Sequence, residues 1–130
     1  MSREYLTGTP RQEERSYSPA VITTGKRTIY LAGFGGAEDE SGKSLAGDFD
    51  GQVRASFNNI RKTLEKAGAT LDDVVTMTVF VTDMKYGSRF VEVRKEFFTS
   101  GRYPGSAMIG IKELARHEMM VEVQAIAVAD

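Results

Sequence analysis

Apolar residues recur at intervals of three and four in the middle of the chain, which predicts an amphipathic helix. Asp48 or Asp50 can cap the unpaired N–H groups at its start, and Gly68 provides a stop at its end. Its apolar stripe consists of Val53, Phe57, Ile60, Leu64 and Ala67. A helix of this kind needs an apolar surface to pack against.

A second helix is predicted from about Ser88 to the turn sequence SGRYPG, whose glycines and proline end it. Phe90, Val93 and Phe97 form its apolar side. Val91 and Phe98 are further candidates for burial on this helix.

Runs rich in β-branched and aromatic residues predict strands around these helices. AVITTG and RTIYLAGFGG are separated by GKR, which predicts a tight hairpin. DDVVTMTVFVTD is apolar almost throughout, as in a strand covered on both faces, and YPGSAMIGI predicts a further strand. We expect residues 1–15, which are polar, to form a surface arm, and AEDESGKSLAGD to be a loop with at most a very short strand.

The last strand, MMVEVQAIAVA, alternates with period two and therefore has two different faces. One face is aliphatic and belongs to the core: Val121, Val123, Ala125 and Ala127. The other is mixed: Met120, Glu122, Gln124 and Ile126. A carboxylate and an amide in mid-strand are typical of an edge, a cleft or a subunit interface.

The order of elements predicts a single α+β domain over residues 1–130, with a mixed sheet and two helices on one face. Two helices can cover only one side of such a sheet. The opposite face needs another partner, and self-association is the simplest candidate.

Composition excludes several classes of function. The 17 basic and 18 acidic side chains leave a net charge of -1, so nothing in the balance indicates nucleic acid or an anionic membrane as a partner. No cysteine is present and there is one histidine, which excludes a Cys-type zinc site and a multi-histidine site within one chain, so we predict no metal. The start lacks the apolar core of a signal peptide and no run approaches the ~20 apolar residues of a membrane span, so we expect a cytoplasmic protein.

From about residue 16 onward, the sequence resembles the RidA (YjgF, endoribonuclease L-PSP) family. The resemblance is carried by SYSPAV, IYLAGFGG, QVRASFNNIRKTLEKAGATLDDVVTMTVFVTDM, FVEVRKEFF and VEVQAIAVA. It implies a chorismate-mutase-like fold and a homotrimer with a central barrel, with small-molecule clefts between subunits. It also implies hydrolysis of enamines and imines, such as 2-aminoacrylate, to a keto acid and ammonia without a cofactor.

The family motif Pro-Ala-Arg-Ser contains the arginine that pairs with the substrate carboxylate, and the matching residue here is Ser106. A neutral hydroxyl cannot bind a carboxylate through two charged hydrogen bonds as the planar guanidinium of arginine does, so the substrate class is expected to differ. The water-holding carboxylate of the final strand corresponds here to Gln124, an amide that can orient water but cannot accept its proton. Val91 replaces an asparagine that is common on the second helix.

The resemblance and the residues together define the candidate site. Gln124 and Ser106 are the catalytic candidates. The ligand-binding candidates are Tyr17, Gly33, Phe34, Ser106, Met108 and Glu122. The glycines of GFGG lack the spacing of a nucleotide loop, so we interpret them as a backbone turn.

Other polar residues have plainer interpretations. His117 is in a polar turn and is predicted to be solvated, so Ser106 has no evident base to make it a nucleophile. Glu122 fits an inter-subunit ion pair as well as a site role. Arg102 could supply the missing cation from a shifted place, but a solvated residue at a helix end is favoured.

Two functions remain open at this level. The favoured one is a trimeric hydrolase-like protein for a small carbonyl, imine or enamine metabolite. The alternative is a non-catalytic trimer that kept the fold and binds small molecules. Ribonuclease activity is a third possibility that no residue pattern independently supports.

Overall fold

A four-stranded mixed sheet with helices packed on one face is the framework of the protein. The computed structural model describes all 130 residues. In chain order the elements are β1 (Arg3–Tyr5), α1 (Pro10–Glu14), β2 (Val21–Thr23), β3 (Arg27–Phe34), α2 (Phe49–Lys66), β4 (Val74–Val81), α3 (Gly87–Arg94), β5 (Gly105–Gly110) and β6 (Val121–Ala129). None of the helices is long and apolar enough to cross a membrane.

The main sheet has the strand order β3-β6-β4-β5. β6 runs antiparallel to both of its neighbours, whereas β4 and β5 are parallel and are connected through α3. Along β6, alternate residues from Val121 to Ala129 are buried, and the residues between them are half-buried or exposed. The predicted mixed sheet and the two faces of its last strand are confirmed.

Both predicted helices are present, although α3 ends at Arg94 and not at the predicted SGRYPG stop, and their apolar sides meet above the sheet. Asp48 caps α2 by accepting a hydrogen bond from the Gly51 N–H at 2.9 Å, and Gly68 adopts a left-handed φ of 71° just beyond the helix end. The rings of Phe57 and Phe90 lie 5.9 Å apart between α2 and α3. The helices therefore share one core with the aliphatic face of the sheet, and they leave the other face uncovered.

The predicted hairpin between AVITTG and RTIYLAGFGG is wrong. β2 pairs with β1, with Arg3 opposite Thr23, and β3 pairs with β6 instead. Arg3 links this small sheet to the body of the protein, because its guanidinium donates to the Asp72 carbonyl at 2.9 Å. The arm of residues 1–15 thus contains a strand and the short helix α1, which the sequence pattern does not indicate.

Gln52 of α2 is fully buried and joins two loops to the helix. Its Nε2 donates to the carbonyls of Leu45 and Glu118, both at 2.9 Å, and its Oε1 accepts from the Met120 N–H at 2.8 Å. All three partners are backbone groups of irregular segments that have no strand or helix to bond within.

Replacing this amide tests how far it supports the loops. Gln52→Leu removes partners from three backbone groups, so we expect the free energy of unfolding to fall by about 2–5 kcal/mol. Urea denaturation measures the change. Asn58→Leu on the same helix is the control, since the Asn58 side chain is half-buried and should alter stability by less than about 0.5 kcal/mol. Equal effects of the two substitutions would contradict the role of Gln52.

Candidate functional site

A cleft of about 320 Å³ lies beside the edge strand β5. The arm that follows α1, the end of α3 and the strand itself form its walls. Its lining residues are Arg15, Tyr17, Arg94, Ser106, Ala107 and Met108. Two of these side chains are cations and none is a carboxylate, so the cleft has a positive electrostatic character.

Arg94 forms the floor of the cleft and is only 2% exposed. Its Nη1 donates to the Ser106 Oγ at 2.7 Å, and its Nη2 donates to the Arg15 carbonyl at 2.6 Å. The guanidinium carbon lies 5.2 Å from the centre of the Phe90 ring. Arg94 therefore connects the arm, β5 and the aromatic core at one point.

The charge of Arg94 has no counter-ion within the chain. None of the ion pairs in the protein includes Arg94 or Arg15. The Arg94 Nε is buried without a hydrogen-bond partner. Burial, with a smaller contribution from the nearby charge of Arg15, lowers the pKa of Arg94 to about 10, which still leaves it charged at neutral pH. Charged side chains are almost never fully buried without a partner, so the floor of the cleft is poised for an anion.

Arg94 is absent from the predicted site residues, although its helical spacing from apolar residues indicates that it is buried. Arg94 lies four residues after Phe90 and four before Phe98, both of which are buried, so it belongs to the apolar side of α3. The alternative cation, Arg102, is exposed, and its guanidinium stacks over the Tyr5 ring at 5.8 Å instead of lining the cleft. The predicted solvated position of Arg102 is confirmed.

Tyr17 is positioned by the segment that surrounds it. Ser16 before it has a left-handed φ of 64°, which turns the chain at the end of α1. Ser18 after it donates to the Pro104 carbonyl from its N–H at 3.0 Å and to the Tyr103 carbonyl from its Oγ. These bonds hold the arm against the start of β5, so Tyr17 shares the cleft with Ser106 and Met108.

The remaining predicted site residues form a second group around the end of β3. Gly33 pairs with Gln124 across the strands, and a methyl group at Gly33 would lie only 2.6 Å from the Glu122 Oε2. Glu122 is half-buried, and its carboxylate is engaged in no ion pair or hydrogen bond of the chain. The Phe34 side chain packs against the core, so its backbone is the part next to this group. Because Gly33 has no side chain, the Glu122 carboxylate fits beside the end of β3, where it has no partner within the chain.

Gln124 points to the uncovered face of the sheet. It is exposed and pairs with Thr78 of β4 and Gly33 of β3. With Tyr30 and Thr76 it lines a depression of about 190 Å³ in that face. Its amide is thus available to water and to whatever packs on the uncovered face.

The two groups lie on opposite faces of the sheet. Ser106 is opposite Met77 of β4, which faces the helices, whereas Gln124 is opposite Thr78, which faces away from them. Ser106 on β5 and Gln124 on β6 are also separated by β4, which is two strand spacings or about 10 Å. One chain therefore does not bring the catalytic candidates Ser106 and Gln124 together.

Ser106 also has no base beside it, because the His117 side chain is 99% exposed and lies 3.4 Å from Glu118. The predicted solvated position of His117 is confirmed. The contacts of Ser106 make it a hydrogen-bonding neighbour of a buried cation.

Comparison with known proteins gives a consistent result. A model of the family described as Endoribonuclease L-PSP matches residues 9–129. A RutC family protein from Pyrococcus abyssi is 32% identical over 99 residues, which make up 76% of this chain and 76% of that protein. A protein from Dermatophagoides farinae named 2-iminobutanoate/2-iminopropanoate deaminase is 29% identical over 132 residues, with 100% of both chains covered.

A solved structure extends the likeness to three dimensions. The Rid family protein YyfB from Yersinia pestis superposes with a TM-score of 0.85 at 23% identity, over 98% of this chain and 99% of that one, a likeness of fold alone. The sequence resemblance and its expected fold are confirmed. The chain belongs to the endoribonuclease L-PSP family, which is also known as the YjgF or Rid family.

Proposed function

We propose that the protein hydrolyses small enamines or imines to the carbonyl compound and ammonia. The observation that carries this proposal is the uncommitted carboxylate of Glu122 beside Gly33, at the strand end where the family resemblance implies ligand contact. The deaminase name of a relative that matches over its full length supports the same chemistry.

The reaction needs a group that transfers a proton to the nitrogen in each of two steps. Water adds to the imine carbon and gives a carbinolamine, and the carbon–nitrogen bond then breaks to release ammonia and leave a carbonyl group. Glu122 takes a proton from the attacking water and delivers it to the imine nitrogen, and it then takes the proton of the carbinolamine hydroxyl and delivers it to the nitrogen as the carbon–nitrogen bond breaks. Gln124 lies two residues away on the same face and orients the water, since an amide donates and accepts hydrogen bonds but takes no proton.

The assignment of base chemistry to Glu122 changes the sequence-based hypothesis. That hypothesis gave the catalytic position to Gln124 and a ligand-binding role to Glu122. A general base has to be ionisable near the working pH, which an amide is not. Glu122 is the carboxylate on this face of β6, so it is the better candidate for the base.

We also propose that the site is completed between copies of the chain, in a homotrimer. The Ser106 group and the Glu122 group lie on opposite faces of one sheet, so a ligand that touches both requires the uncovered face of one chain to meet the cleft of another. A head-to-tail contact of this kind closes into a ring when the rotation between copies is a whole fraction of a turn, and one third of a turn gives the trimer. Exposed apolar side chains on the uncovered face support the contact, with Tyr30 77% and Ile109 44% exposed.

A charge on the uncovered face tests the assembly. Ile109→Glu puts a carboxylate into the proposed contact, so we expect the wild-type mass of three chains to fall to that of one in light scattering. Lys66→Glu at the solvent end of α2 is the control and should leave the trimer intact. A monomeric wild type would overturn the proposed assembly.

Exchange of one carboxylate tests the chemistry. We expect Glu122→Gln to slow ammonia release from 2-aminoacrylate by about 10²- to 10⁴-fold, because the amide cannot move the proton. The measurement is the rate of keto-acid formation with purified protein. Glu113→Gln, which alters an exposed carboxylate in the loop before β6, should keep the wild-type rate. Equal rates for wild type and Glu122→Gln would rule out Glu122 as the base.

A non-catalytic binding protein is the second candidate, and Gln124 favours it. An amide in the position that the resemblance gives to a carboxylate is the change expected if turnover has been lost and binding retained. Under this alternative, wild type and Glu122→Gln both show only the uncatalysed rate, while ligands still raise the melting temperature.

A further inference from the structure

We propose that Arg94 binds the carboxylate of the ligand and that Ser106 is its second donor, so that the cation of the cleft comes from α3 and not from β5. This inference rests on the proposed function only for the imine group of the ligand. The anion site itself follows from the cleft.

The unpaired positive charge of the cleft supports an anion site. Arg94 is a buried guanidinium with no carboxylate partner, and Arg15 adds a second cation to the same cleft. Removing a charge from water without an opposite charge is costly, and the proximity of two like charges adds to the cost. A ligand carboxylate would offset both. No acidic side chain lines the cleft to do so.

The directions of the hydrogen bonds made by Arg94 and Ser106 leave donors free for an anion. A guanidinium has five N–H donors, and the Arg94 Nε has no acceptor in the chain. Arg94 donates to the Ser106 Oγ, which occupies a lone pair of that oxygen and leaves the hydroxyl proton of Ser106 for another acceptor. A carboxylate in the cleft can accept from both side chains.

The side chains at positions 94 and 106 share one small space, so the residue at each position limits the other. The Arg94 Nη1 lies 2.7 Å from the Ser106 Oγ, so a long cationic side chain at position 106 would meet the guanidinium already there. A short hydroxyl fits the space and adds a donor. Serine at this position is therefore consistent with a cation that has moved, and it is not a sign that the anion site is absent.

The rest of the cleft limits the ligand. Met108 and Ala107 are apolar and Tyr17 presents a ring, whereas the cations and the hydroxyl of Ser106 come from the arm, α3 and the start of β5. A ligand that carries both a carboxylate and an apolar side chain matches these two kinds of lining residue. The substrate class that follows is a 2-imino acid with an apolar side chain.

Binding of a stable keto acid tests the inference without any turnover. The probe is 2-oxobutanoate, and butan-2-one, which lacks the carboxylate, is the matched neutral compound. We expect calorimetric titration to show that Arg94→Gln weakens 2-oxobutanoate binding by about ten- to a hundredfold, the effect of losing a charged hydrogen bond. Arg102→Gln removes the same charge from an exposed arginine near β5 and should bind as wild type does.

Three results would overturn the inference. They are unchanged affinity in Arg94→Gln, equal weakening by Arg102→Gln, and equal binding of the neutral ketone by wild type. A purely structural Arg94 would lower the melting temperature of the unliganded protein but leave the increase caused by 2-oxobutanoate unchanged.

Three further variants keep the test decisive if Arg94→Gln does not fold. Ser106→Ala retains the guanidinium and removes one donor, so we expect binding to weaken by about two- to tenfold. The exchange variant Arg94→Gln/Ser106→Arg moves the cation to β5 and is expected to bind 2-oxobutanoate, while Ser106→Arg alone brings two guanidinium groups together and loses stability. An exchange variant that folds and does not bind the keto acid would contradict the inference, as would wild-type affinity in Ser106→Ala.

The proposed reaction and the anion site can fail separately. If wild type binds 2-oxobutanoate through Arg94 but releases no ammonia from 2-aminoacrylate, the reaction is wrong and the anion site stands. If wild type turns over and Arg94→Gln binds the keto acid normally, the reaction stands and the site is wrong.

Discussion

Helices cover only one face of the four-stranded sheet. α2 and α3 bury one side of the four strands and share a core with Val121 and its aliphatic neighbours on β6. The other side keeps Gln124, Tyr30 and Ile109 in contact with solvent. A surface that mixes a large ring, a branched aliphatic chain and an amide is suited to a second protein copy, because it offers both apolar area and hydrogen-bonding groups.

The same constraint explains why the functional groups are divided. Residues of β5 that point toward the helices enter the cleft with Arg94, whereas Glu122 and Gln124 of β6 point away from it. Period-two alternation decides this, since neighbouring positions of a strand always face opposite sides. The proposed anion-binding groups and the proposed water-activating groups therefore lie on separate surfaces of each chain.

Local patterns made the helices and the last strand predictable, because they depend on residues close in sequence. Asp48 and Gly68 mark the ends of α2, and the alternation around Val123 marks β6. The pairing of β1 with β2 was not predictable, since Arg3 meets Thr23 across the polar turn-rich segment and neither run carries a register signal. The candidate residues of the cleft were partly predictable from the family resemblance, which pointed to Tyr17 and Ser106. Arg94 was missed because its partners, at positions 15 and 106, come from elements distant in the chain.

If Arg94 binds the ligand carboxylate as proposed, its contact with Ser106 has an evolutionary consequence. A lineage that passes between a strand-borne and a helix-borne arginine must change both positions, and each single replacement is unfavourable. If the new arginine is gained before the old one is lost, two like charges occupy one small space. If the old arginine is lost before the new one is gained, the anion has no cation. The two arrangements are therefore separated by a fitness valley, so either one should persist as a matched pair of residues within its own branch of the family.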